Sequence, residues 1–394
     1  MKLAINYKGN TTNKIRREYA NPLSELKPTL RFIPIPTDVN KPTDLTYPLS
    51  NALTKRRFDK IGKSKKIIFH CVGDTGGING NETQDAIALQ MEKQFRYLAE
   101  GEQPAFFYHL GDVIYYNGLK KHYEDQFYEP YKFYPAIIMA IPGNHDCDTV
   151  TQKGDEPDNE PSLAGFVENF CDSVRRPVPY SPYRYSMNQP YPYWVLDAPF
   201  VTIIGLFSNV EGLLDDPLDA TQPQFNWFVQ QLKNAPTDKC LLVTVHHPCY
   251  SLDTSHGGYQ PILDALDLAV EKAKRHPDAV LSGHVHNYQR FTREYKRKSY
   301  PFIIAGAGGY ANSPRSLHQL QRNANNELIT VPFQTAQKGV ILNHYNETDP
   351  GFLKITIDDN FLTGEYFINT WNSCTPPPNP DDVFILDWKN NKLL

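Results

Sequence analysis

Short apolar runs alternate with amphipathic segments along most of the chain. From residue 66 onward the runs are rich in Ile, Val and Phe, which is typical of buried strands. These predicted strands span residues 66–72, 105–110, 136–141, 200–207, 239–245 and 279–282. Between several of them, apolar residues recur every three or four positions, as expected of helices that bury one face.

The apolar spacing predicts three helices, at residues 87–98, 222–234 and 262–270. Strands that alternate with helices predict an α/β protein whose sheet is covered on both faces. Near the end of the chain, residues 352–357 and 361–367 flank the turn Asp358-Asp359-Asn360 and predict an antiparallel hairpin.

Two long stretches between these elements are rich in Tyr and Pro, at residues 115–134 and 146–193. Loops of this length in compact domains are often lids over a functional site. The alternative is that their aromatic rings simply pack over the edge of the sheet. The sequence does not distinguish the two.

The charges are distributed unevenly along the 394 residues. The chain has 40 Lys and Arg against 44 Asp and Glu, a net charge of −4, which excludes a wholly basic nucleic-acid binder and a disordered acidic chain. Residues 1–66 alone carry a net charge of +10, and the remainder carries −14. This part is either a basic arm for an anionic partner or an irregular segment lying across an acidic body.

These features divide the chain into three parts. We predict a basic, proline-containing segment at residues 1–65 that packs on or flanks the core, a single domain at 66–370, and a proline-rich tail at 371–394. No apolar run approaches the roughly 20 residues that span a bilayer, and no secretory signal is evident. Six cysteines without a CxxC pair do not indicate a disulfide framework. We therefore expect a cytoplasmic protein with no membrane partner, or a periplasmic or secreted one if a signal peptide has been removed.

Polar residues follow five of the six predicted strands, where α/β folds bind ligands. The motifs are Gly73-Asp74, Gly111-Asp112, Gly143-Asn144-His145-Asp146, His246-His247-Pro248 and Gly283-His284-Val285-His286. Carboxylates and imidazoles without thiolates suit Fe, Mn or Zn rather than a structural zinc site. The two imidazole pairs and two carboxylates are enough donors for two metal ions.

The order of these motifs resembles the calcineurin-like metallophosphoesterase superfamily over roughly residues 66–310. The first motif of that family is usually Asp-x-His, whereas this chain has Asp74-Thr75-Gly76. In the purple acid phosphatase-like branch a tyrosine three residues after the second aspartate replaces that histidine, and Tyr115 stands three residues after Asp112. The resemblance implies a four-layer α/β/β/α sandwich of two mixed sheets.

The resemblance also implies a ligand set for two metal ions, expected to be Fe(III) with a divalent Fe, Zn or Mn. The first ion would be held by Asp74, Asp112, Tyr115 and His286. Asp112 would bridge to the second ion, held in addition by Asn144, His246 and His284. A shared carboxylate offsets the repulsion between two neighbouring cations.

The remaining candidates are expected to act on the substrate. His145 is the candidate proton donor to the leaving group, with Asp146 orienting it. His256 resembles a second histidine on the substrate side of the site, and His247 is the competing candidate. Residues 66–370 would then form the catalytic domain.

The expected reaction is hydrolysis of a small phosphorylated substrate, of the acid phosphatase type, by hydroxide derived from metal-bound water. One alternative is a phosphodiesterase with the same site, acting on cyclic nucleotides or other diesters. A second alternative is a non-catalytic module that binds anions through the basic N-terminal segment. The overall charge argues against nucleic acid as a partner.

Overall fold

The computed structural model describes residues 35, 39, 41–77, 80–96, 98–148, 160–179, 181–209, 223–296, 298–311, 316–323, 325–370 and 379–394. Most of the basic N-terminal segment and the proline-rich stretch at 371–378 lie outside the described residues.

The described part of the chain forms eighteen strands and five α-helices. The strands are β1 (Thr46–Pro48), β2 (Lys66–Val72), β3 (Phe106–His109), β4 (Ile137–Ala140), β5 (Pro177–Val178), β6 (Ser181–Tyr185), β7 (Trp194–Ala198), β8 (Val201–Leu206), β9 (Cys240–Val245), β10 (Ala279–Ser282), β11 (Tyr288–Tyr295), β12 (Lys298–Ala305), β13 (Phe333–Gln334), β14 (Val340–Asn346), β15 (Gly351–Asp358), β16 (Phe361–Ile368), β17 (Asp382–Asp387) and β18 (Lys392–Leu393). The helices are α1 (Lys55–Ser64), α2 (Glu82–Arg96), α3 (Ala164–Phe170), α4 (Pro223–Asn234) and α5 (Gln260–Ala273).

The strands form two large mixed sheets and one small hairpin. The larger sheet has the order β1-β7-β8-β9-β10-β12-β11-β14-β13, and the second has the order β18-β17-β16-β15-β2-β3-β4. Strands β2, β3 and β4 are parallel, as are β8, β9, β10 and β12, so their carboxyl ends point the same way within each sheet. The predicted α/β class with two mixed sheets is confirmed, and all six predicted strands are present.

Alternation along the central strands shows how the layers pack. In β9, Cys240 and Leu242 lie in the core that contains residues of both sheets. Leu241 and Val243 point the other way, into a second core formed with α4 and α5. Because β9 buries both of its faces, its sequence is a continuous apolar run and does not alternate between apolar and polar residues.

The end of the chain, expected to belong to a tail, instead completes the smaller sheet. Strand β17 pairs antiparallel with β16 from Asp382 to Asp387. Phe384, Leu386 and Trp388 are buried, and Asp382 accepts two hydrogen bonds from the guanidinium of Arg290, at 2.7 and 2.9 Å. The alternating apolar residues at 384, 386 and 388 are the local signal for this strand.

The described parts of the two tyrosine-rich stretches bury many of their rings. Tyr123, Phe127 and Tyr131 are at most 3% exposed, and Phe166 and Phe170 of α3 pack in the same core. These rings support the packing interpretation for the described parts of these stretches. Residues 149–159 lie outside the described residues.

A buried histidine on β2 makes stability sensitive to acid. His70 is fully buried, with Nδ1 3.0 Å from the Tyr134 hydroxyl and Nε2 3.0 Å from Gln94 Oε1. Burial lowers the pKa of His70 to about 3, whereas an unfolded histidine titrates at about 6.5. Below about pH 6.5 the unfolded chain binds a proton at this histidine, whereas the folded protein does not. The contribution of neutral His70 to stability is therefore lost as the pH falls.

Between pH 7 and pH 5 this single group should reduce the free energy of unfolding by about 2 kcal/mol. Urea denaturation of wild type and His70→Gln at both pH values measures the effect. The variant should lose about 2 kcal/mol less than wild type over this interval, since its side chain does not titrate. An identical loss in both proteins would show that His70 is not buried in its neutral form.

Candidate metal centre

The predicted polar motifs converge because the carboxyl ends of five strands meet at one place. Strands β2, β3 and β4 come from one sheet, and β9 and β10 from the other. Asp74, Asp112 and His284 follow their strands in the left-handed backbone region, with φ of 58°, 51° and 67°. This conformation is uncommon for residues other than glycine. It turns the chain sharply at the strand ends, where these three side chains meet.

Close backbone packing leaves little room around the carboxylates. A Cβ built on Gly143 would overlap the Asp112 carboxylate, and one built on Gly306 would lie 2.9 Å from Asp74 Oδ2. Only glycine fits at either position without displacing a ligand candidate. Glycine in the run Ala305-Gly306-Ala307-Gly308-Gly309 thus allows the close approach of neighbouring backbone.

One group of donors is centred on the Tyr115 hydroxyl. This oxygen lies 3.0 Å from Asp74 Oδ1, 3.1 Å from Asp112 Oδ2 and 3.2 Å from His286 Nε2. These four residues are at most 6% exposed. They are the four residues expected to hold the first metal ion.

A second group surrounds the Asn144 amide oxygen. Asn144 Oδ1 lies 3.2 Å from His246 Nε2 and 2.9 Å from His284 Nδ1. His246 Nε2 is also 3.3 Å from Asp112 Oδ2. Asp112 therefore contacts both groups through the same carboxylate oxygen, which is the position required of a bridging ligand.

Hydrogen bonds from outside the site select which imidazole nitrogen faces inward. His246 Nδ1 lies 2.8 Å from the carbonyl oxygen of Leu110, and His284 Nε2 lies 2.9 Å from the Tyr259 hydroxyl. The opposite nitrogen of each ring is left to face Asn144. Such outer contacts commonly orient metal-binding histidines.

The donor set fits metal ions by chemistry and by spacing. Ligand atoms bound about 2.1 Å from one cation at right angles to each other lie roughly 3 Å apart, and the contacts in both groups are 2.9 to 3.3 Å. Asp112, His246 and His284 bring three ligand atoms within 4.8 Å of one another. Asp74, Asp112, Tyr115 and His286 could hold one ion, and Asp112, Asn144, His246 and His284 another.

The charges at the site are set by burial and by Asp112. Burial acts to raise the pKa of Asp112, but His246 and His145 outweigh it and hold that pKa well below its usual range. Burial acts to lower the pKa of His246, yet Asp112 beside it raises the value to about 9. Burial, with the neighbouring imidazoles, lowers the pKa of His284 and of His286. Both rings are thus neutral and can offer lone pairs to a cation.

His145 lies beside the two groups without belonging to either. Its backbone N–H donates to Asp112 Oδ1 at 2.8 Å, and its Nδ1 lies 2.7 Å from the carbonyl oxygen of Tyr116. The residue is partly exposed, and its ring lies tilted against Tyr115 at a centroid distance of 4.6 Å. A donating Nδ1–H leaves Nε2 as the nitrogen available to a substrate.

Asp146 has a different position from the one expected beside the His145 ring. Its carboxylate is fully buried and accepts hydrogen bonds from the backbone N–H groups of Gly143 and Val113, at 2.8 and 3.0 Å. It thereby ties the loop after β4 to the loop after β3. The contact that orients the His145 ring is the carbonyl of Tyr116.

His256 and His247 both approach His284, from different directions. The His256 ring is partly buried, 4.6 Å from His284, and burial lowers its pKa to about 4. His247 is fully buried, and its Nδ1 lies 2.6 Å from the Ser208 hydroxyl. Since a substrate must reach the group that acts on it, the more accessible His256 is the better placed of the two.

Three residues near the site were not predicted. Tyr259 contacts His284 as described, and the Tyr310 ring lies 4.0 Å from that of His286. The His318 ring, which sequence gave no reason to single out, lies 4.3 Å from His286. These residues come from connections with no regular motif, so the sequence carried no signal for Tyr310 or His318.

The chain is similar to known proteins in sequence and in fold. Residues 67–288 match the sequence model of the family described as calcineurin-like phosphoesterase. Over 100 residues the chain is 32% identical to purple acid phosphatase 21 of Arabidopsis thaliana, covering 24% of this chain and 22% of that protein. The chain therefore spans only about a fifth of the length of this curated relative.

Two solved structures share the fold. Purple acid phosphatase PPD1 from yellow lupin (Lupinus luteus) seeds superposes with a TM-score of 0.57 at 18% identity, covering 83% of this chain and 54% of that chain. GAP50, the anchor in the inner membrane complex of Plasmodium, superposes with a TM-score of 0.53 at 12% identity, covering 80% of this chain and 88% of that chain. Among the residues that the structure describes here, no helix combines the length and the apolar character needed to span a bilayer.

Proposed function

The chain belongs to the calcineurin-like phosphoesterase family, and on that premise we propose that it hydrolyses phosphate monoesters at a centre of two metal ions. The observation that carries this proposal is the position of Asp112. One of its oxygens lies 3.1 Å from Tyr115 in the first group and 3.3 Å from His246 in the second. A single carboxylate shared by two donor groups is the arrangement that holds two cations close together.

The residues of this chain would have different roles in the reaction. Bound cations would supply an activated water and neutralise charge on the phosphoryl oxygens. His145, with its Nε2 directed away from Tyr116, would donate a proton to the ester oxygen as the bond from phosphorus to that oxygen breaks. His256 would contact the phosphoryl group from the side of His284. Asp146 would hold the loops that carry Asp112 and Asn144.

We further propose that the ion at Tyr115 is Fe(III), paired with a divalent Fe, Zn or Mn. Burial, followed by the charges of Asp112 and Asp74, raises the pKa of Tyr115 well above its ordinary value. Only a strongly charged cation would displace the proton of such a phenol near neutral pH. A hard trivalent ion fits a phenolate and two carboxylates.

A tyrosinate bound to Fe(III) should give the purified protein a visible charge-transfer absorption. In Tyr115→Phe this band should disappear, because the variant lacks the phenolate oxygen. Visible spectroscopy of the iron-loaded proteins checks this. Tyr116→Phe is the matched control, since it keeps the backbone carbonyl that contacts His145 and should keep the band. A coloured Tyr115→Phe protein would remove Tyr115 from the ligand set.

The reaction is tested by metal analysis of freshly purified protein, followed by rates on a chromogenic phosphate monoester and a matched diester. The proposal expects about two metal ions per chain, a faster rate on the monoester, and loss of activity after chelation. A faster diester rate would favour the phosphodiesterase alternative. A metal-loaded protein inactive on both would favour the non-catalytic alternative.

A further inference from the structure

A cleft of about 390 Å³ lies away from the metal centre. It is bounded by the start of α1, by residues 135–138 at the amino end of β4, and by strand β6. Asn144 of the metal centre follows the carboxyl end of the same strand β4. The cleft and the metal centre therefore open at opposite ends of β4.

The charge of the cleft is strongly positive. Arg57, Lys132, Arg175 and Arg184 line it, and none of the described residues lining it is Asp or Glu. Lys132 forms an ion pair with Glu129 outside the lining. The three arginines thus bring their charge to one concave surface without a carboxylate in its wall.

The guanidinium groups of these arginines contact backbone carbonyls in the described structure. Arg57 donates to Pro104 at 2.9 Å, Arg175 to Ala52 at 3.3 Å, and Arg184 to Tyr134 and Ala136 at 2.8 and 3.0 Å. Arg184 is 8% exposed, and its Nε has no hydrogen-bond partner. A buried charge without an anionic partner is costly, and an anion bound nearby in the cleft would reduce that cost.

Neighbouring arginines on the same segments behave differently. Arg56 pairs with Glu100 at 2.5 Å, and Arg176 pairs with Asp172 at 2.6 Å. Each therefore has a carboxylate partner, whereas Arg57 and Arg175 contact only carbonyl oxygens in the described hydrogen bonds. Among the described residues, carboxylate partners are thus present beside the cleft and lacking in its lining.

Helix α1 adds to the positive potential. Thr54, which lines the cleft, caps the helix by accepting a hydrogen bond from the backbone N–H of Arg57. The first turn of a helix favours acidic residues because its free N–H groups carry partial positive charge. Here the first turn contains basic residues and no acidic one. A bound anion would offset this unfavourable arrangement.

Exposed aromatic rings border the same cleft. Phe133, Tyr183 and Tyr185 are 58%, 67% and 49% exposed. The rings of Phe133 and Tyr183 lie 5.9 Å apart, and the guanidinium of Arg175 lies 5.9 Å from the Tyr185 ring centre. Aromatic faces of this kind stack on planar bases.

We propose that this cleft binds a nucleoside diphosphate or a similar small nucleotide at a site separate from the metal centre. The phosphates contact Arg57, Arg175 and Arg184, since guanidinium groups match phosphate oxygens in shape and charge. The base packs on the rings of Phe133, Tyr183 and Tyr185. A volume of about 390 Å³ is within the range of small-ligand sites.

The test is calorimetric titration of the metal-loaded protein with the α,β-methylene analogue of ADP, whose diphosphate bridge resists hydrolysis. Arg175→Gln and Arg57→Gln should each weaken binding about tenfold or more. Their matched controls, Arg176→Gln and Arg56→Gln, should bind within about twofold of wild type. His145→Ala should also bind as wild type, and Arg175→Gln should keep the wild-type rate on a chromogenic monoester.

Three results would overturn the proposal. The first is that wild-type protein binds the analogue only at the metal centre, so that all of the binding is removed by a competing substrate. The second is that Arg175→Gln binds the analogue as tightly as Arg176→Gln, which would place the ligand elsewhere even if Arg57→Gln fails to fold. Pyrophosphate that binds as tightly as the nucleotide analogue would exclude a contribution from the aromatic rings.

Discussion

Replacing Asp112 with asparagine is expected to lower kcat/KM for a phosphate monoester by roughly 10³-fold or more, beyond the 10- to 100-fold typical of contacts outside the ligand set. Asparagine keeps the size of the side chain but removes its negative charge. The same oxygen of Asp112 lies 3.1 Å from Tyr115 and 3.3 Å from His246. Both donor groups should therefore lose affinity, and the metal content should fall below about two ions per chain.

The matched control for this variant is Asp278→Asn. Asp278 is also buried, accepts a hydrogen bond from the backbone of Leu241 at 2.8 Å, and pairs with Lys298. It lies just before the amino end of β10, opposite the metal centre, so its replacement should leave metal content and kcat unchanged. Full metal content together with undiminished kcat/KM in Asp112→Asn would contradict the bridging role.

Replacing His145 with alanine should lower kcat by about 10²- to 10⁴-fold on an alkyl phosphate, the contribution typical of general acid catalysis. The ring is held by Tyr116 through Nδ1, which leaves Nε2 to protonate the leaving oxygen. Metal content should not change, since the donor groups remain complete. Initial rates at saturating substrate, with metal analysis of the same samples, measure both effects.

The leaving group distinguishes proton donation from a merely structural role of His145. An aryl phosphate whose leaving oxygen is a weak base needs little protonation, so the loss in His145→Ala should be much smaller on that substrate. His276→Ala, at the amino-terminal side of β10, is the control and should retain activity on both esters. Equal losses of activity on the alkyl and aryl esters in His145→Ala would exclude the acid role.

The sequence predicted the strand ends well because local composition dictates them. Residues 66–72 and 279–282 were predicted as strands, and β2 and β10 occupy those residues. The motifs after these strands could be singled out because α/β folds bind ligands beyond the carboxyl ends of their strands, but that the two sheets bring those ends together is visible only in the structure. Tyr115 could be assigned as a metal ligand only because the order of the motifs resembles a known family. A tyrosine beside a strand has no distinctive local signature of its own.

Contacts between segments that are remote along the chain could not be predicted from local sequence. Asp382 lies far along the chain from Arg290, yet the two form a buried pair at 2.7 Å. The His318 ring contacts that of His286 from a connection with no regular pattern. The cleft beside β4 combines Arg57, Arg175 and Arg184, which belong to three separate segments. No spacing rule relates residues that only folding brings together.

The amino-acid sequence by itself determined the α/β class, the six predicted strands and the residue types that follow them, because burial and backbone conformation act over a few neighbouring positions. Only the tertiary structure decided that Asp112 contacts both donor groups, that Asp146 binds the backbone rather than His145, and that the chain end completes a sheet. These properties depend on distances between segments that are remote along the chain, and packing of the whole domain sets those distances.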